Sequence, residues 1–231
     1  MMKKALLFGS IGAIMETSDI QRRAYNQALQ ESGLPWIWGR PVYADLLEQS
    51  GGKDRLAMLA AATGTMLTQA QIEFIHARKM EIACAEIVAN HVSPRPGVVT
   101  LAHWAKERGM KLAFVTTTYK PNIDAIFDAL GDILPLQDFD YIVDREAVEN
   151  GKPAPDAYLA TLKALGVSAT DALAIEDTAL SVMSAKRAGV TTIATPGDIS
   201  AGQDFWQADL VIAALADSDG NLHPRLLQML D

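Results

Sequence analysis

Four short polar segments of this 231-residue chain carry the side chains best suited to hold or transform an anionic ligand. They are Phe8-Gly9-Ser10-Ile11-Gly12, Thr116-Thr117-Thr118, Lys152 within residues 150–156, and Glu176-Asp177. A hydroxyl and a lysine can hold phosphate oxygens, and paired carboxylates can hold Mg²⁺ directly or through water. The first segment differs from the others, because the side chains of Gly9 and Ile11 can neither attack phosphorus nor transfer a proton.

Short apolar runs alternate with helical patterns along most of the chain, which is typical of a parallel sheet covered by helices. The predicted strands are residues 5–8, 111–115, 141–143, 172–175, 190–194 and 209–212. In a doubly wound sheet the carboxyl ends of the strands lie along one edge. We therefore expect an α/β fold in which the four polar segments meet at that edge.

Residues 17–92 break this alternation, since they contain no clear strand pattern. Helical patterns cover residues 19–32, 43–49, 53–62 and 68–88. We predict a helical cap domain of residues 17–92, inserted into an α/β core of residues 1–16 and 93–231. Because the cap follows the first strand, it would lie over the crevice where such sheets bind ligands.

Composition narrows the classes of partner. The net charge of −8, with basic residues scattered along the chain, disfavours a nucleic-acid surface. No run approaches the roughly 18 apolar residues of a membrane span.

The sequence also bears on where the protein works. Two lysines precede the first apolar run, but its glycines and the helix-like segment from Glu16 argue against a secretory signal. A single cysteine, Cys84, is predicted to be buried and fits a reducing, cytoplasmic setting.

Seven segments, in order and at consistent spacing, carry a family resemblance. They are Glu16-Thr17, residues 22–26, Gly51-Gly52-Lys53-Asp54-Arg55, Arg95-Pro96-Gly97, residues 116–118, residues 151–156 and Ala174-Ile175-Glu176-Asp177. Together they resemble the haloacid-dehalogenase superfamily, in its helical-cap phosphatase and phosphoglucomutase branch. Within that branch the chain is similar to the CbbY type of sugar-bisphosphate phosphatase.

The resemblance implies a Mg²⁺-dependent phosphatase whose first motif carries two aspartates. The first would form an aspartyl-phosphate, and the second would protonate the leaving oxygen and later activate water. Here those positions are Gly9 and Ile11, and the threonine that follows in the family is Ala13. Ser18 and Gln21 likewise replace an acidic residue and a histidine. Loss of a covalent nucleophile costs on the order of a millionfold in turnover, so the resemblance predicts a catalytically degenerate member without catalytic residues.

The resemblance also supplies candidate binding residues. The candidates for holding substrate or phosphate are Thr116, Thr117, Lys152, Glu16, Lys53 and Arg55. Glu176 and Asp177 are the metal-ligand candidates. Mg²⁺ binding is expected to be weak or absent, because the missing nucleophile would also have been a metal ligand.

Several of these residues have alternative interpretations. Ser10 or Glu16 could act as a substitute nucleophile, although no base is evident beside either. Lys152 could bind an anion or neutralise Glu176 and Asp177 in a structural ion pair. The segment 51–55 could hold a distal phosphate or simply begin a helix. The four histidines show no metal-ligand spacing and are predicted to lie on the surface or in packing positions.

The leading hypothesis is a protein that binds a small phosphorylated metabolite, an inorganic anion or a protein partner without turnover. One alternative is an active Mg²⁺-dependent phosphatase that uses rewired residues. Another is an interaction or regulatory module. No nucleic-acid or membrane partner is expected.

Overall fold

The computed structural model describes residues 2–48 and 51–231, and six parallel strands run through it in one sheet. The spatial order is β3-β2-β1-β4-β5-β6. The strands are β1 Ala5–Phe8, β2 Lys111–Val115, β3 Tyr141–Val143, β4 Ala172–Glu176, β5 Thr191–Ala194 and β6 Leu210–Val211. The prediction of a doubly wound α/β fold is confirmed, and the last two strands are shorter than predicted.

Ten α-helices occur within the described residues. They are α1 Ile11–Ile14, α2 Ser18–Glu31, α3 Arg40–Leu46, α4 Gly52–Thr63, α5 Gln69–Ala89, α6 Val98–Glu107, α7 Lys120–Leu130, α8 Asp156–Leu165, α9 Ala179–Arg187 and α10 Pro224–Leu230. The third helix starts earlier than the predicted residue 43, because Pro41 occupies its first turn, where a missing backbone N–H costs nothing. The predicted end of that helix at residue 49 lies outside the described residues.

The central strand β1 is buried on both faces. Leu6 and Phe8 belong to a core layer that includes residues of α6, α7 and α10. Ala5 and Leu7 belong to the opposite layer, with residues of α8 and α9. Side chains of a strand alternate between its faces, so a short continuous apolar run is what two covered faces require.

Helices α2 to α5 lie between β1 and β2 in the chain and share an apolar cluster of their own, which includes Tyr25, Leu29, Trp38 and Leu56. The side chain of Trp38 packs there and is 1% exposed. Cys84 of α5, predicted to be buried, is only partly so, and its Sγ lies 3.2 Å from Oδ1 of Asn122. We call residues 17–92 the helical insertion below; its status as a separate cap domain stays a prediction.

Arg95 ties the loop after β1 to the loop after β5. Its Nη1 donates to the carbonyl of Gly12 at 2.9 Å, and its Nη2 donates to the carbonyl of Pro196 at 2.8 Å. Its backbone N–H donates to the carbonyl of Ile14 at 2.7 Å. The first loop is therefore fixed by hydrogen bonds from the segment that follows the helical insertion. Nowhere in the described chain is there a helix of the length and apolar character that a bilayer crossing needs.

Candidate functional site

A pocket of about 380 Å³ lies between the carboxyl edge of the sheet and the helical insertion. The sheet side contributes Ser10 after β1, Thr116 and Thr117 after β2, Lys152 before α8, and Asp177 after β4. The convergence predicted for parallel strand ends is therefore present. From the insertion come Gln21, Tyr25, Lys53, Arg55, His76 and Lys79, among others.

The carboxylate of Glu176 occupies the space beside Gly9. A Cβ placed on Gly9 would overlap the carboxyl carbon and both carboxyl oxygens of Glu176. Oε1 of Glu176 accepts hydrogen bonds from Lys152 Nζ and Tyr158 Oη, both at 2.6 Å. Oε2 accepts from the backbone N–H and the hydroxyl of Ser10, both at 3.1 Å. Glu176 is fully buried and does not line the pocket, so its carboxylate is not placed to attack a ligand.

Asp177 stands in the same relation to Gly12, whose added Cβ would lie 2.6 Å from Cγ of Asp177. Its Oδ1 accepts a hydrogen bond from the Ser10 hydroxyl. Burial, and next the charge of Glu176, raises the pKa of Asp177 to about 6. Unlike Glu176, Asp177 does line the pocket.

These carboxylates do not fit a Mg²⁺ site. Mg²⁺ requires near-octahedral oxygen ligands, and both oxygens of Glu176 already accept hydrogen bonds from Lys152, Tyr158 and Ser10. Within residues 2–48 and 51–231, no three His, Cys, Asp or Glu side chains come together as metal ligands could. Residue 9 supplies no oxygen from its side chain. Metal binding by Glu176 and Asp177 therefore has no geometric support.

Lys152 forms an ion pair with Glu176, which is one of the two roles proposed for this lysine from the sequence. Its ammonium is 2.6 Å from Glu176, and the two side chains are 4% and 0% exposed. Lys152 also lines the pocket, so an anion there would share this lysine with Glu176. Thr116 is buried, and its hydroxyl accepts a hydrogen bond from the backbone N–H of Thr118 at 3.1 Å. Thr116 thus both shapes the loop after β2 and borders the pocket.

The insertion wall of the pocket is rich in basic groups. The ammonium of Lys53 lies 5.7 Å from the ring centroid of Tyr119, and the ring of His76 meets the same tyrosine edge-on. Arg55 lines the same wall. Lys79, which is only 6% exposed, donates to Oε1 of Gln21.

Burial lowers the pKa of two of these groups. It lowers the pKa of His76 to about 4, with further lowering by Lys79, Lys53 and Arg55, so this imidazole is neutral at pH 7. It lowers the pKa of Lys79 to about 7, and the charge of Arg55 adds to the effect. Lys53, Arg55 and Gln21 were singled out from the sequence, whereas Lys79 and His76 were not predicted to line the pocket. Lys79 could have been found from the sequence, because it lies in the apolar stripe of α5, where burying an unpaired charge is costly.

Glu16 is the predicted binding residue that lies away from the pocket. Its Oε1 accepts a hydrogen bond from the backbone N–H of Ser18, and its Oε2 from that of Asp198, both at 2.9 Å. The pocket-lining residues do not include it. The other five, Thr116, Thr117, Lys152, Lys53 and Arg55, all border the pocket, and their binding roles stay predictions.

The chain is similar in sequence to proteins of a known family. A family model described as haloacid dehalogenase-like hydrolase matches residues 5–189. Protein CbbY of Rhodobacter capsulatus is 35% identical over 228 residues, covering 96% of this chain and 98% of the relative. The plasmid-encoded Protein CbbY of Cupriavidus necator is 36% identical, covering 93% of this chain and 86% of the relative.

Solved structures agree with these relatives. The crystal structure of CbbY from Rhodobacter sphaeroides in complex with phosphate has a TM-score of 0.85 at 34% identity, covering 92% of this chain and 95% of the other. A mutant of the same protein in complex with xylulose-(1,5)bisphosphate has a TM-score of 0.86 at 33% identity, covering 96% and 100%. On this similarity in sequence and structure, the chain belongs to the haloacid dehalogenase-like hydrolase family and is CbbY-like within it.

Proposed function

We propose that this protein binds a small phosphorylated metabolite of the sugar-phosphate class and hydrolyses it very slowly or not at all. The observation that carries the proposal is the relation between Gly9 and Glu176. The place of a nucleophilic side chain is filled by a buried carboxylate that is already bonded to Lys152 and Tyr158. The family reaction needs an accessible carboxylate there to form a covalent intermediate.

Retained binding is supported by the charge of the pocket. Lys53, Arg55 and Lys79 line the insertion wall, and Lys152 lines the sheet side. Ammonium and guanidinium groups are the usual partners of phosphate oxygens, through charge-assisted hydrogen bonds. The hydroxyl groups of Thr117 and Ser10 can add further hydrogen bonds. The CbbY relatives solved with phosphate and with a sugar bisphosphate show that a pocket of this family accepts such ligands.

The proposal includes two broader expectations. Residues 17–92 would act as a cap that supplies the distal part of the binding site, because the basic wall belongs to them. The protein would work in the cytoplasm, where a lone half-buried Cys84 stays reduced.

A second candidate is a phosphatase in which Ser10 replaces the missing aspartate. The observation that favours it is the hydrogen bonding of the Ser10 hydroxyl to Asp177 and Glu176, since either carboxylate could accept its proton. Attack by Ser10 would leave a phosphoserine. The two adjacent carboxylates would repel an incoming phosphate, with Lys152 as the nearest counter-charge, so we rank this below binding without turnover.

Calorimetry and turnover assays on the same protein separate these functions. We expect heat of binding with fructose 1,6-bisphosphate and glycerol 3-phosphate, and no release of inorganic phosphate above background with or without Mg²⁺. Lys53→Ala with Arg55→Ala should weaken binding at least about tenfold, because each lost charge-assisted hydrogen bond is worth about 1.5–3 kcal/mol. Lys163→Ala, at an exposed position outside the pocket, is the matched control.

Three outcomes would change the assignment. Mg²⁺-dependent turnover that is lost in Asp177→Asn would show an active hydrolase. Turnover lost in Ser10→Ala, with a phosphorylated Ser10 peptide in the wild type, would establish the second candidate. Absence of heat and of any thermal shift with every phosphate ester would leave an interaction or regulatory module.

A further inference from the structure

Lys79 is a buried amine at the wall of the pocket. Its ammonium donates to the side-chain oxygen of Gln21 and lies 4.7 Å from the ring centroid of Tyr25. Within the described residues, no carboxylate is among the charges that act on it. Arg55 of α4 adds a like charge, and His76 one turn earlier is neutral at pH 7. A buried lysine without a counter-ion is stabilised as the neutral amine.

Gln21 provides a second, independent observation beside Lys79. Because its oxygen accepts from Lys79, its amide nitrogen is left as a donor, and Nε2 is buried without a hydrogen-bond partner among the described residues. Gln21 is 8% exposed and lines the same pocket. Burying a donor without a partner is costly, and an acceptor oxygen of a bound ligand would recover that cost.

Protonation decides how reactive Lys79 is. With a pKa of about 7, about half of the Lys79 side chains carry a free amine at pH 7. A lysine at the ordinary value of 10.5 has on the order of a thousandfold less free amine. Desolvation and neighbouring cations are known means of activating a lysine toward carbonyl carbon.

We propose that Lys79 and Gln21 form a carbonyl-binding site, in which the amine of Lys79 adds to the aldehyde or ketone carbon of a phosphorylated ligand and holds it as an imine. The proposal rests on the proposed binding of phosphorylated metabolites and names their class as phosphorylated aldehydes and ketones. Gln21 donates its free N–H to the carbonyl oxygen. The surrounding basic groups hold the phosphate.

The chemistry balances without a further reactant. The nitrogen lone pair of Lys79 forms a bond to the carbonyl carbon, and the carbonyl oxygen takes up a proton to give a carbinolamine. Loss of that oxygen as water, with a second proton, leaves the carbon–nitrogen double bond. Both protons come from the amine and its exchange with solvent, and hydrolysis of the imine returns the ligand unchanged.

Reductive trapping with dihydroxyacetone phosphate tests the proposal directly. Glycerol 3-phosphate is the matched probe, since it differs in having an alcohol in place of the carbonyl. In the presence of cyanoborohydride, the full-length protein should gain the mass of dihydroxyacetone phosphate less one oxygen, and peptide mapping should place it on Lys79. Labelling of Lys79 should be more than about tenfold faster than labelling of Lys163, which is exposed and lies outside the pocket that holds the phosphate.

Two controls make the result decisive. Lys79→Arg keeps a long basic side chain but removes the primary amine and should abolish the adduct, whereas Lys163→Arg should leave it unchanged. In the wild type, labelling of Lys79 should level off above about pH 8, while labelling of the free amino acid derivative Nα-acetyl-lysine in the same solution keeps rising to about pH 10. This pH profile is measured on the wild type. It reflects the combined effect of Arg55, His76, Tyr25 and Cys84 on the protonation of the Lys79 amine.

Each remaining outcome has one meaning. Labelling of Lys79 no faster than that of Lys163 would overturn the imine, even if calorimetry shows that glycerol 3-phosphate binds. In that case the proposed binding function stands. If neither dihydroxyacetone phosphate nor glycerol 3-phosphate binds or raises the unfolding temperature, the proposed function and this inference both fail.

Discussion

The carboxyl group of Glu176 lies where a side chain on residue 9 would lie, and Gly9 is the residue that leaves room for it. Among the described residues, Lys152, Tyr158 and Ser10 are the donors of its hydrogen bonds. The glycine at residue 9 and the inward position of Glu176 are therefore two parts of one closed, hydrogen-bonded cluster.

Adding a side chain at Gly9 should destabilise the fold. We expect Gly9→Ala to lower the free energy of unfolding by about 1–3 kcal/mol, the usual cost of overpacking, because Glu176 cannot move without leaving Lys152 and Tyr158. The measurement is urea unfolding followed by circular dichroism.

Two comparisons give the Gly9→Ala result its meaning. Gly202→Ala is the control, since nothing lies within 4 Å of its added Cβ. In a Glu176→Ala background the cost of Gly9→Ala should largely vanish. An unchanged cost in that background would show that Glu176 is not the cause.

By the same reasoning, the double variant Gly9→Asp with Ile11→Asp should recover Mg²⁺ binding only when the carboxylate of Glu176 has moved away from residue 9.

Removing the ammonium of Lys152 should be costly for stability, whatever its role in binding. Lys152→Met leaves the fully buried carboxylate of Glu176 without its counter-ion, and such a loss costs about 3–5 kcal/mol. Lys152→Met with Glu176→Met should recover much of it, because the pair is removed as a unit. Lys120→Met, in the exposed pair with Asp124, should change stability little. Equal effects at Lys152 and Lys120 would contradict a structural ion pair.

Asp177 should make stability fall as the pH rises from about 4 to 6. Its pKa is raised from 3.8 to about 6 in the folded protein, so between these values the folded state binds more protons than the unfolded state. At pH 7 the buried carboxylate then costs about 3 kcal/mol, at 1.36 kcal/mol per unit of pKa. We expect Asp177→Asn to be more stable than the wild type at pH 7 and similar at pH 4.

Urea unfolding at pH 4, 5, 6 and 7 checks this dependence. Asp132→Asn, at an exposed carboxylate, serves as the control and should follow the wild type throughout. A difference between wild type and Asp177→Asn that does not change with pH would argue against a raised pKa.

Gly52 should control the shape of the basic wall. A Cβ on Gly52 would lie 2.6 Å from Nε2 of His76 and also meet the hydroxyl of Tyr25. Gly52→Ala is therefore expected to displace His76 and to weaken binding of glycerol 3-phosphate about tenfold or more, a change of about 1.4 kcal/mol. Calorimetry gives the affinity, and thermal unfolding checks that the fold is kept. Gly202→Ala again provides the control, and unchanged affinity in Gly52→Ala would mean that this wall does not contact the ligand.

The strands and the polar segments at their ends could be predicted from sequence for a clear reason. Buried parallel strands need continuous apolar runs, so residues 5–8 and 111–115 were found with their observed bounds. Polar residues that follow such runs must meet at one edge of the sheet, which places Thr116 and Asp177 in the pocket. The absence of carboxylates at Gly9 and Ile11 is also visible in the sequence, and the family resemblance is what gives these two positions their proposed significance.

Other features of the site depend on distances between segments far apart in the chain. Sequence order does not show that Glu176 lies against Gly9, that Glu16 accepts the backbone N–H of Asp198 instead of facing the pocket, or that Lys79 lacks a carboxylate partner. Burial and neighbouring charge set whether a lysine is an ion or an amine, and both are properties of the folded chain. The sequence by itself determined the family, the sheet and the presence of glycine at residue 9. Only the tertiary structure decided which carboxylate packs against Gly9 and which basic groups line the pocket, because these follow from packing between residues far apart in the chain, well over a hundred positions for Ser10 and Glu176.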